Sequence, residues 1–330
     1  MSELLLDVRG LSVDFPTRAG VAHVVRDSSW QVQRGETLAV VGESGSGKSV
    51  SMLALTGLLP SPPARISGQA WFDGTQLVGA GDDTLRKIRG ARIGMIFQDP
   101  MTSLNPYLRI GRQVAEGLEE HEGLTKKEAR ERAVDLLAMV GIPEPQRRVD
   151  SYPHEFSGGM RQRVMIATAL ACSPDLLVAD EATTALDVTT QAQIVDLVGD
   201  LQSRLGMAVV WISHDLGVVA RIAHRVAVMY AGQIVEQAAV DDLYAHTGHP
   251  YTAGLMRSLP VLETHHGGRR ELATIDGLPP DPRRLPPGCS FFPRCPRRLD
   301  DRCEHEPPPL REVSPGHLVR SFYEEPGDAR

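Results

Sequence analysis

The sequence predicts an α/β fold built on a phosphate-binding loop. An antiparallel β subdomain precedes the loop, a helical subdomain follows it, and a small proline- and cysteine-rich extension closes the chain. Three observations carry that reading. Gly42-Glu43-Ser44-Gly45-Ser46-Gly47-Lys48-Ser49 fills every fixed position of G-x-x-x-x-G-K-[ST], between the apolar run Thr37 to Val41 and a helical stretch from Val50 to Leu59. Strand-like apolar runs at Arg92 to Phe97, Asp175 to Glu181 and Met207 to Ile212 alternate with stretches of helical spacing. Half of the 24 prolines fall after residue 278, together with three of the four cysteines.

The loop states its chemistry first. Its glycines let the backbone turn tightly, so that successive N–H groups face phosphate oxygens, and the positive end of the following helix adds to the attraction. Lys48 then reaches the β- and γ-phosphates, and the Ser49 hydroxyl ligates Mg²⁺. The chain is expected to bind a nucleoside triphosphate. A second loop of this kind does not occur, so there is one nucleotide-binding unit and not a tandem.

Composition narrows the class. A length of 330 residues allows one large domain with an appendage, or two domains. Hydrophobic content of 42% and charged content of 23% are ordinary for a globular protein, and a net charge of −7 argues against a dedicated nucleic-acid binder. No apolar run approaches the ~18–20 residues that span a bilayer. Met1-Ser2-Glu3-Leu4 offers no basic segment ahead of an apolar core. The expected location is cytoplasmic, with any membrane association made through a partner. Four cysteines in such a compartment do not suggest a disulfide framework.

Residues 4–33 alternate apolar and polar, and read as short antiparallel strands with turns at Arg9-Gly10, Thr17 to Gly20 and Arg34-Gly35. Phe15 is placed to stack on a nucleotide base, or is an ordinary strand aromatic. Pro60 to Pro63 stop the first helix, and Gly68 to Phe72 form a hairpin through Asp73-Gly74. The strand Arg92 to Phe97 delivers Gln98 to its end, ahead of a loop from Asp99 to Pro106. Thr125 to Glu128 then fits a capping box for a helix that Gly141 and Pro143 end.

Phe156-Ser157-Gly158-Gly159-Met160 opens a helix to about Cys172, which Ser173-Pro174 end. Ser157 and the two glycines make its start a second anion site or simply a cap. The aliphatic strand that follows closes on Asp180 and Glu181. Asp180 can hold the Mg²⁺ shell and Glu181 can polarise an attacking water. Ala185-Leu186-Asp187 leads into an amphipathic helix over Thr190 to Leu205, and the next strand ends on Ser213-His214-Asp215, where His214 can touch a γ-phosphate. Residues 225–237 form a closing hairpin turning at Ala231-Gly232.

Gln98, Ser157-Gly158-Gly159, Asp180-Glu181, Asp187 and His214 follow the phosphate loop in the order and spacing of an ATP-binding-cassette (ABC) ATPase, which the chain resembles over essentially its whole length. Phe97 to Pro106, and His249-Pro250-Tyr251-Thr252 leading to Ser258-Leu259-Pro260, resemble the oligopeptide/dipeptide (and nickel) importer branch of the OppD/DppD kind. The resemblance implies a P-loop cassette over residues 1–245, with a helical subdomain at about 100–172, and an importer-type extension over 246–330. It implies two cassettes closing head to tail on two ATPs. Phe15 would then stack on the base, and Gly42, Ser44, Gly45, Ser46, Gly47 and Lys48 would hold the phosphates. Ser49, Gln98 and Asp180 would serve Mg²⁺, with Gln98 and His214 acting at the γ-phosphate and Glu181 as the base. Ser157, Gly158 and Gly159 would serve the partner's ATP, and Asp187 would belong to the nucleotide-binding set as well. Met160 stands where the superfamily usually has Gln, a departure familiar in this branch.

The implied partners are a second cassette subunit (a paralogue in this family), two permease subunits and an extracytoplasmic binding protein, with the chain peripheral on the cytoplasmic face of the membrane. No nucleic acid is expected. In the resembling family a four-cysteine run holds a [4Fe–4S] cluster. Here Cys289, Cys295 and Cys303 are present and Ser321 stands at the fourth position. His305, His317 or Ser321 completes the set, or the cluster is lost; the sequence leaves both open. Cys172 reads as a buried small side chain. Three alternatives to the peptide importer remain: an importer of nickel or another small solute, a soluble cassette acting on nucleic acid or ribosomes, and a regulatory cassette with little turnover. The acidity, and the presence of both Glu181 and His214, weigh against the last two.

Overall fold

Thr37–Val41 is buried at every residue, and that is why its run is unbroken: a strand covered on both faces has no solvent side to mark with polar residues. The computed structural model describes residues 3–184, 186–259, 274–298 and 301–322, and of Pro100 and Met101 the backbone alone. Ala185, in the stretch before Asp187, and Pro260 lie outside the described residues. The chain gathers into two compact bodies. One draws on Met1–Leu6, Val32–Thr37 and Phe72–Ser213, the other on Asp7–Gln31, Leu38–Trp71 and His214–Arg330.

In the first body Leu176–Asp180 lies between Ile93–Ile96 and Ala208–Ser213, parallel to both. All of Leu176–Asp180 is buried. Gly94 is required here: a Cβ would stand 2.2 Å from the Ala169 carbonyl oxygen, at the end of the helix Gly158–Ala169. That helix packs with Ile110–His121 and Lys126–Met139 through buried Val114, Leu118, Leu136, Leu137 and Val164. The expected capping box is formed, with the Glu128 carboxylate accepting from the Thr125 N–H at 2.9 Å. Closing that loop satisfies otherwise orphaned donors at the helix start.

In the second body Leu38–Val41 runs parallel to Arg225–Tyr230. Beyond it Gln233–Ala239, His317–Arg320 and Leu310–Ser314 follow as antiparallel neighbours in that order. The expected turn at Ala231-Gly232 is present, with φ of 45° and 83°. Leu4–Thr17 lies between Gly20–Gln33 and Arg65–Phe72 in a separate sheet. The core behind the phosphate-loop strand joins Ala39 and Val41 to Val226, Val228, Tyr230, Tyr251 and Phe291.

Several expectations need correction. Residues 4–33 form two long strands, Leu4–Thr17 and Gly20–Gln33, with no turn at Arg9-Gly10. Gly10 (φ 59°) kinks the first strand without ending it, its N–H donating to Ser29 Oγ at 2.9 Å. The first helix, Lys48–Leu55, stops at Thr56-Gly57 (Gly57 φ 65°), before the prolines act. Asp99 to Pro106 holds a short helix, Pro100–Ser103, because Thr102 and Ser103 hydroxyls bond back to the Asp99 carbonyl. The helix after Ser157 ends at Ala169, so Cys172 lies beyond it, half-buried. Glu181 falls outside its strand in the left-handed region, at φ 47°.

Candidate nucleotide-binding and hydrolysis site

The phosphate loop is held by close backbone approaches that only glycine permits. A Cβ at Gly42 (φ 153°) would stand 2.1 Å from the Met229 carbonyl oxygen, and one at Gly47 (φ 104°) 2.7 Å from that of Val24. From the first turn of Lys48–Leu55, the buried Lys48 Nζ donates to the carbonyls of Gly42 and Glu43 at 2.8 and 2.9 Å. Its charge is therefore kept over the loop. The Ser46 carbonyl accepts from the Gly232 N–H at 2.9 Å, which fastens the loop to the hairpin turn. Ser44 and Gly45 are exposed, Ser46 and Gly47 buried, and Ser49 half-buried. Phe15, half-exposed on Leu4–Thr17, and His214, exposed just past Ser213, belong to this same body.

The first body carries the acids. Asp180 is buried at the carboxyl end of its strand, level with Ile212 of the neighbouring strand. The backbone turns at Glu181, whose N–H donates to the Ile212 carbonyl at 3.0 Å. Glu181 Oε2 accepts from Gln98 Nε2 at 2.9 Å and from Thr184 Oγ1 at 3.1 Å. No sequence pattern points to Thr184. Because the Gln98 amide nitrogen is turned to Glu181, its carbonyl oxygen remains as a donor atom toward a cation. Within this body Gln98 and Asp180 offer an amide oxygen and a carboxylate, hard oxygens of the kind Mg²⁺ prefers, as the Ser49 hydroxyl does in the other body.

Ser157 caps Gly158–Ala169, its Oγ accepting from the Met160 N–H at 3.3 Å. A Cβ at Gly159 would stand 2.7 Å from Thr190 Cγ2, so this glycine allows the next long helix to approach. That helix, Val188–Leu205, is capped by Asp187, which accepts from Thr190 N–H and Oγ1 at 2.9 and 2.7 Å. The Thr190 backbone bond, then its hydroxyl, holds the Asp187 carboxyl below the usual range.

In the extension Cys289, Cys295 and Cys303 do come together. With Ser321, His249 and Arg320 they are among the residues lining one pocket. Burial pushes the Cys289 thiol up to about 11 and raises Cys295 as well. Among the described residues no three His, Cys, Asp or Glu side chains are arranged around a single ion. A lone zinc would draw thiolates to roughly 3.8 Å from one another. Of the substitutes considered for the fourth position, Ser321 alone lines the pocket. The His317 Nε2 is engaged by Glu236 at 2.8 Å, and His305 is exposed elsewhere. Beyond the helix, Cys172 is also raised by burial, to about 11.

The profile of the family described as "ABC transporter" matches residues 25–184, and that of "Oligopeptide/dipeptide transporter, C-terminal region" matches residues 235–303. The chain is 50% identical over 319 residues to the oligopeptide transport ATP-binding protein OppD of Bacillus subtilis, covering 96% of this chain and 88% of that protein. This chain is an ABC transporter ATPase of the oligopeptide/dipeptide branch. The dipeptide transport ATP-binding protein DppD of the same bacterium is 48% identical over 320 residues, 97% of this chain and 92% of that protein. Among solved structures, the cassette MJ0796 in a dimeric post-hydrolysis state bound to ADP and Pi superposes with a TM-score of 0.64 at 28% identity, covering 71% of this chain and 98% of that one. The fold of this ABC ATPase is therefore the cassette fold, and its activity is ATP hydrolysis with Mg²⁺.

The residues missed by sequence reasoning lie mainly in the second body. Tyr251 Oη accepts from the Glu43 N–H at 2.8 Å, so the His249-Pro250-Tyr251 stretch supports the phosphate loop itself. Glu236, wholly buried, accepts from the N–H groups of Gly248 and His249. Neither pairing has a local sequence signal: Tyr251 lies 208 positions from Glu43, and Glu236 reaches Gly248 and His249 across the intervening helix Val240–Ala245.

Proposed function

We propose that this ABC ATPase powers the uptake of di- or oligopeptides through a membrane permease, by ATP-driven closure of a cassette pair. The observation that carries this reading is the joint presence of the full set of cassette motifs and the C-terminal region shared with the peptide-transport relatives. In this reading residues 1–245 are the cassette, with a helical subdomain at about 100–172, and 246–330 the extension. Phe15 stacks on the adenine, and Gly42 to Gly47 present N–H groups to the phosphates. Lys48 neutralises the β- and γ-oxygens. Ser49, Gln98 and Asp180 would hold Mg²⁺, which when bound would neutralise charge at the phosphates. Glu181 takes the proton of the attacking water, oriented by Gln98 and Thr184, while His214 reaches the γ-phosphate. Ser157 to Gly159 serve the ATP of a partner cassette, with Asp187 beside them, which makes hydrolysis conditional on closure. ATP favours the closed pair only through its higher affinity for that state, and hydrolysis removes the advantage.

Phe97, Tyr107 and Leu108 are exposed on the stretch that follows the strand Ile93–Ile96, with Tyr107 at 87%. Such residues would seat a permease segment and pass on the motion of closure. No described helix is long and apolar enough to cross a membrane; in this reading the chain attaches peripherally, on the cytoplasmic face, through two permease subunits. Three thiols and the Ser321 hydroxyl line the cysteine pocket, the donor atoms an iron–sulfur group would use, and Arg320 stands among them with a positive charge that would balance an anionic cluster. Such a group would be held by Cys289, Cys295, Cys303 and Ser321 and would supply cross-bracing between their segments. Iron and acid-labile sulfide near zero in anaerobically purified protein would remove it.

The test of the main reading is a mild-detergent purification of the tagged chain from its native membranes. Two permease subunits with a second cassette, and hydrolysis stimulated by a peptide-loaded binding protein, are expected. Recovery with ribosomes or nucleic-acid proteins alone would overturn transport while leaving the ATPase intact.

A further inference from the structure

The extension and the phosphate loop meet at an ion pair that the hydrolysis chemistry above does not use. Arg294, on the turn Phe292–Arg294, donates from Nη1 and Nη2 to Glu43 Oε2 and Oε1 at 2.7 and 2.9 Å. Its side chain is 5% exposed, against 27% for Glu43. The guanidinium lies 5.8 and 6.0 Å from the ring centroids of Tyr230 and Phe291. Its Nε donates to the Asp276 carbonyl at 2.9 Å and its Nη2 to that of Ile275 at 3.2 Å. Arg294 is therefore fixed from several sides before it meets Glu43, and a bidentate fork of this kind fixes the carboxylate in turn.

Glu43 is the second residue of the phosphate loop. Its N–H is taken by Tyr251 Oη and its carbonyl by Lys48 Nζ. A carboxylate on a loop that receives polyphosphate is an electrostatic misfit, because like charges repel, and on a loop open to solvent at Ser44 and Gly45 salt screens part of that repulsion. We propose that Arg294 is a positioning residue for the nucleotide site: it cancels the Glu43 charge and fixes its carboxylate, so that ATP affinity depends on the extension. This rests on the reading that Gly42 to Ser49 cradle the phosphates of ATP.

The test is calorimetric ATP binding, with Mg²⁺, to the full chain at low and high salt. Arg294→Gln is expected to weaken ATP binding about tenfold at low ionic strength and less at high salt. Adding Glu43→Gln to it should restore affinity to within about threefold of wild type, although the staple is still missing. A purely structural staple would leave the double variant as weak as Arg294→Gln, and that result overturns the proposal, as does wild-type affinity in Arg294→Gln. Should Arg294→Gln not fold, the reversed pair E43R/R294E keeps the contact and is expected to bind ATP at least as tightly as wild type. Binding about tenfold weaker by that pair overturns the proposal. Lys48→Ala binding ATP like wild type would instead sink the phosphate-loop reading, and this inference with it.

Discussion

Replacing Glu236 by Ala should destabilise the second body severely. Glu236 sits on Gln233–Ala239 at 0% exposure, and three donors converge on its carboxylate. Gly248 N–H and His317 Nε2 reach Oε1 at 2.6 and 2.8 Å, and His249 N–H reaches Oε2 at 2.9 Å. One side chain thus ties the sheet to the start of Pro250–Arg257, which carries Tyr251, and to the strand His317–Arg320. Removing it orphans two backbone N–H groups and a ring nitrogen. At about 1–3 kcal/mol for each buried orphan, less the relief of no longer burying a carboxylate, the net loss is about 4 kcal/mol. In a body of this size that lowers the melting temperature by about 10 °C. Glu236→Gln keeps one acceptor oxygen and should cost roughly half as much. Scanning calorimetry on the full chain gives the answer. A fall of under about 2 °C for Glu236→Ala, or a greater loss for Glu236→Gln, would refute the idea that the carboxylate organises these segments. ATP affinity should fall together with stability, because Tyr251 holds the Glu43 N–H.

Glu181→Gln should abolish steady-state hydrolysis while leaving ATP binding intact; near-normal turnover would remove Glu181 as the base. Gly42→Ala should lose nucleotide binding altogether, because its Cβ would stand 2.1 Å from the Met229 carbonyl oxygen at φ 153°; an unchanged ATP-induced melting shift would contradict that geometry. Burial lowers the His249 imidazole to about 4, against ~6.5 when unfolded. The unfolded chain then takes up the proton first as pH falls, so stability should drop between pH 6.5 and 4, by up to about 3 kcal/mol, and should change little from this group above that window. His249→Asn, which keeps an acceptor for the Tyr251 N–H, should flatten the slope; an unaltered profile would assign the pH dependence to other groups.

Motifs were legible where chemistry demands adjacent residues. The phosphate loop and the Thr125 capping box are local patterns and were placed correctly, and the strand expected over Asp175 to Glu181 is found, one residue shorter at each end, as Leu176–Asp180. What misled was punctuation. Gly10 reads as a turn, yet a left-handed glycine within a paired strand only kinks it when side chains such as Ser29 take up the freed N–H. Prolines 60–63 read as a helix stop, but Gly57 had already ended the helix. Glu181 reads as a strand residue, since nothing local announces the left-handed turn that presents its carboxylate to Gln98 and Thr184. The supports of the phosphate loop were illegible for a different reason. Tyr251 and Arg294 lie more than two hundred positions from Glu43, and pairings at that range leave no mark in the spacing of residues.

Those long-range supports bear on what the extension is for. Phe291 packs in the same core as Ala39 and Val41, the residues that deliver the phosphate loop. Its ring meets Tyr230 at 5.2 Å and Tyr251 at 5.4 Å, contacts worth about 0.5–1.5 kcal/mol each beyond their burial. His317–Arg320 continues the sheet by pairing with Gln233–Ala239, and Arg26 reaches Ser290 Oγ at 2.6 Å. The cysteines line a pocket on this scaffold, with Arg294 immediately before Cys295 and Arg320 immediately before Ser321. Movement of Cys295 would therefore be felt one residue away by the guanidinium that holds Glu43, and through Glu43 by the carbonyl that Lys48 contacts. A segment joined in this way braces the phosphate loop from outside: Tyr251 holds the Glu43 N–H and Arg294 the Glu43 carboxylate, while the loop's own glycines permit its close backbone approaches.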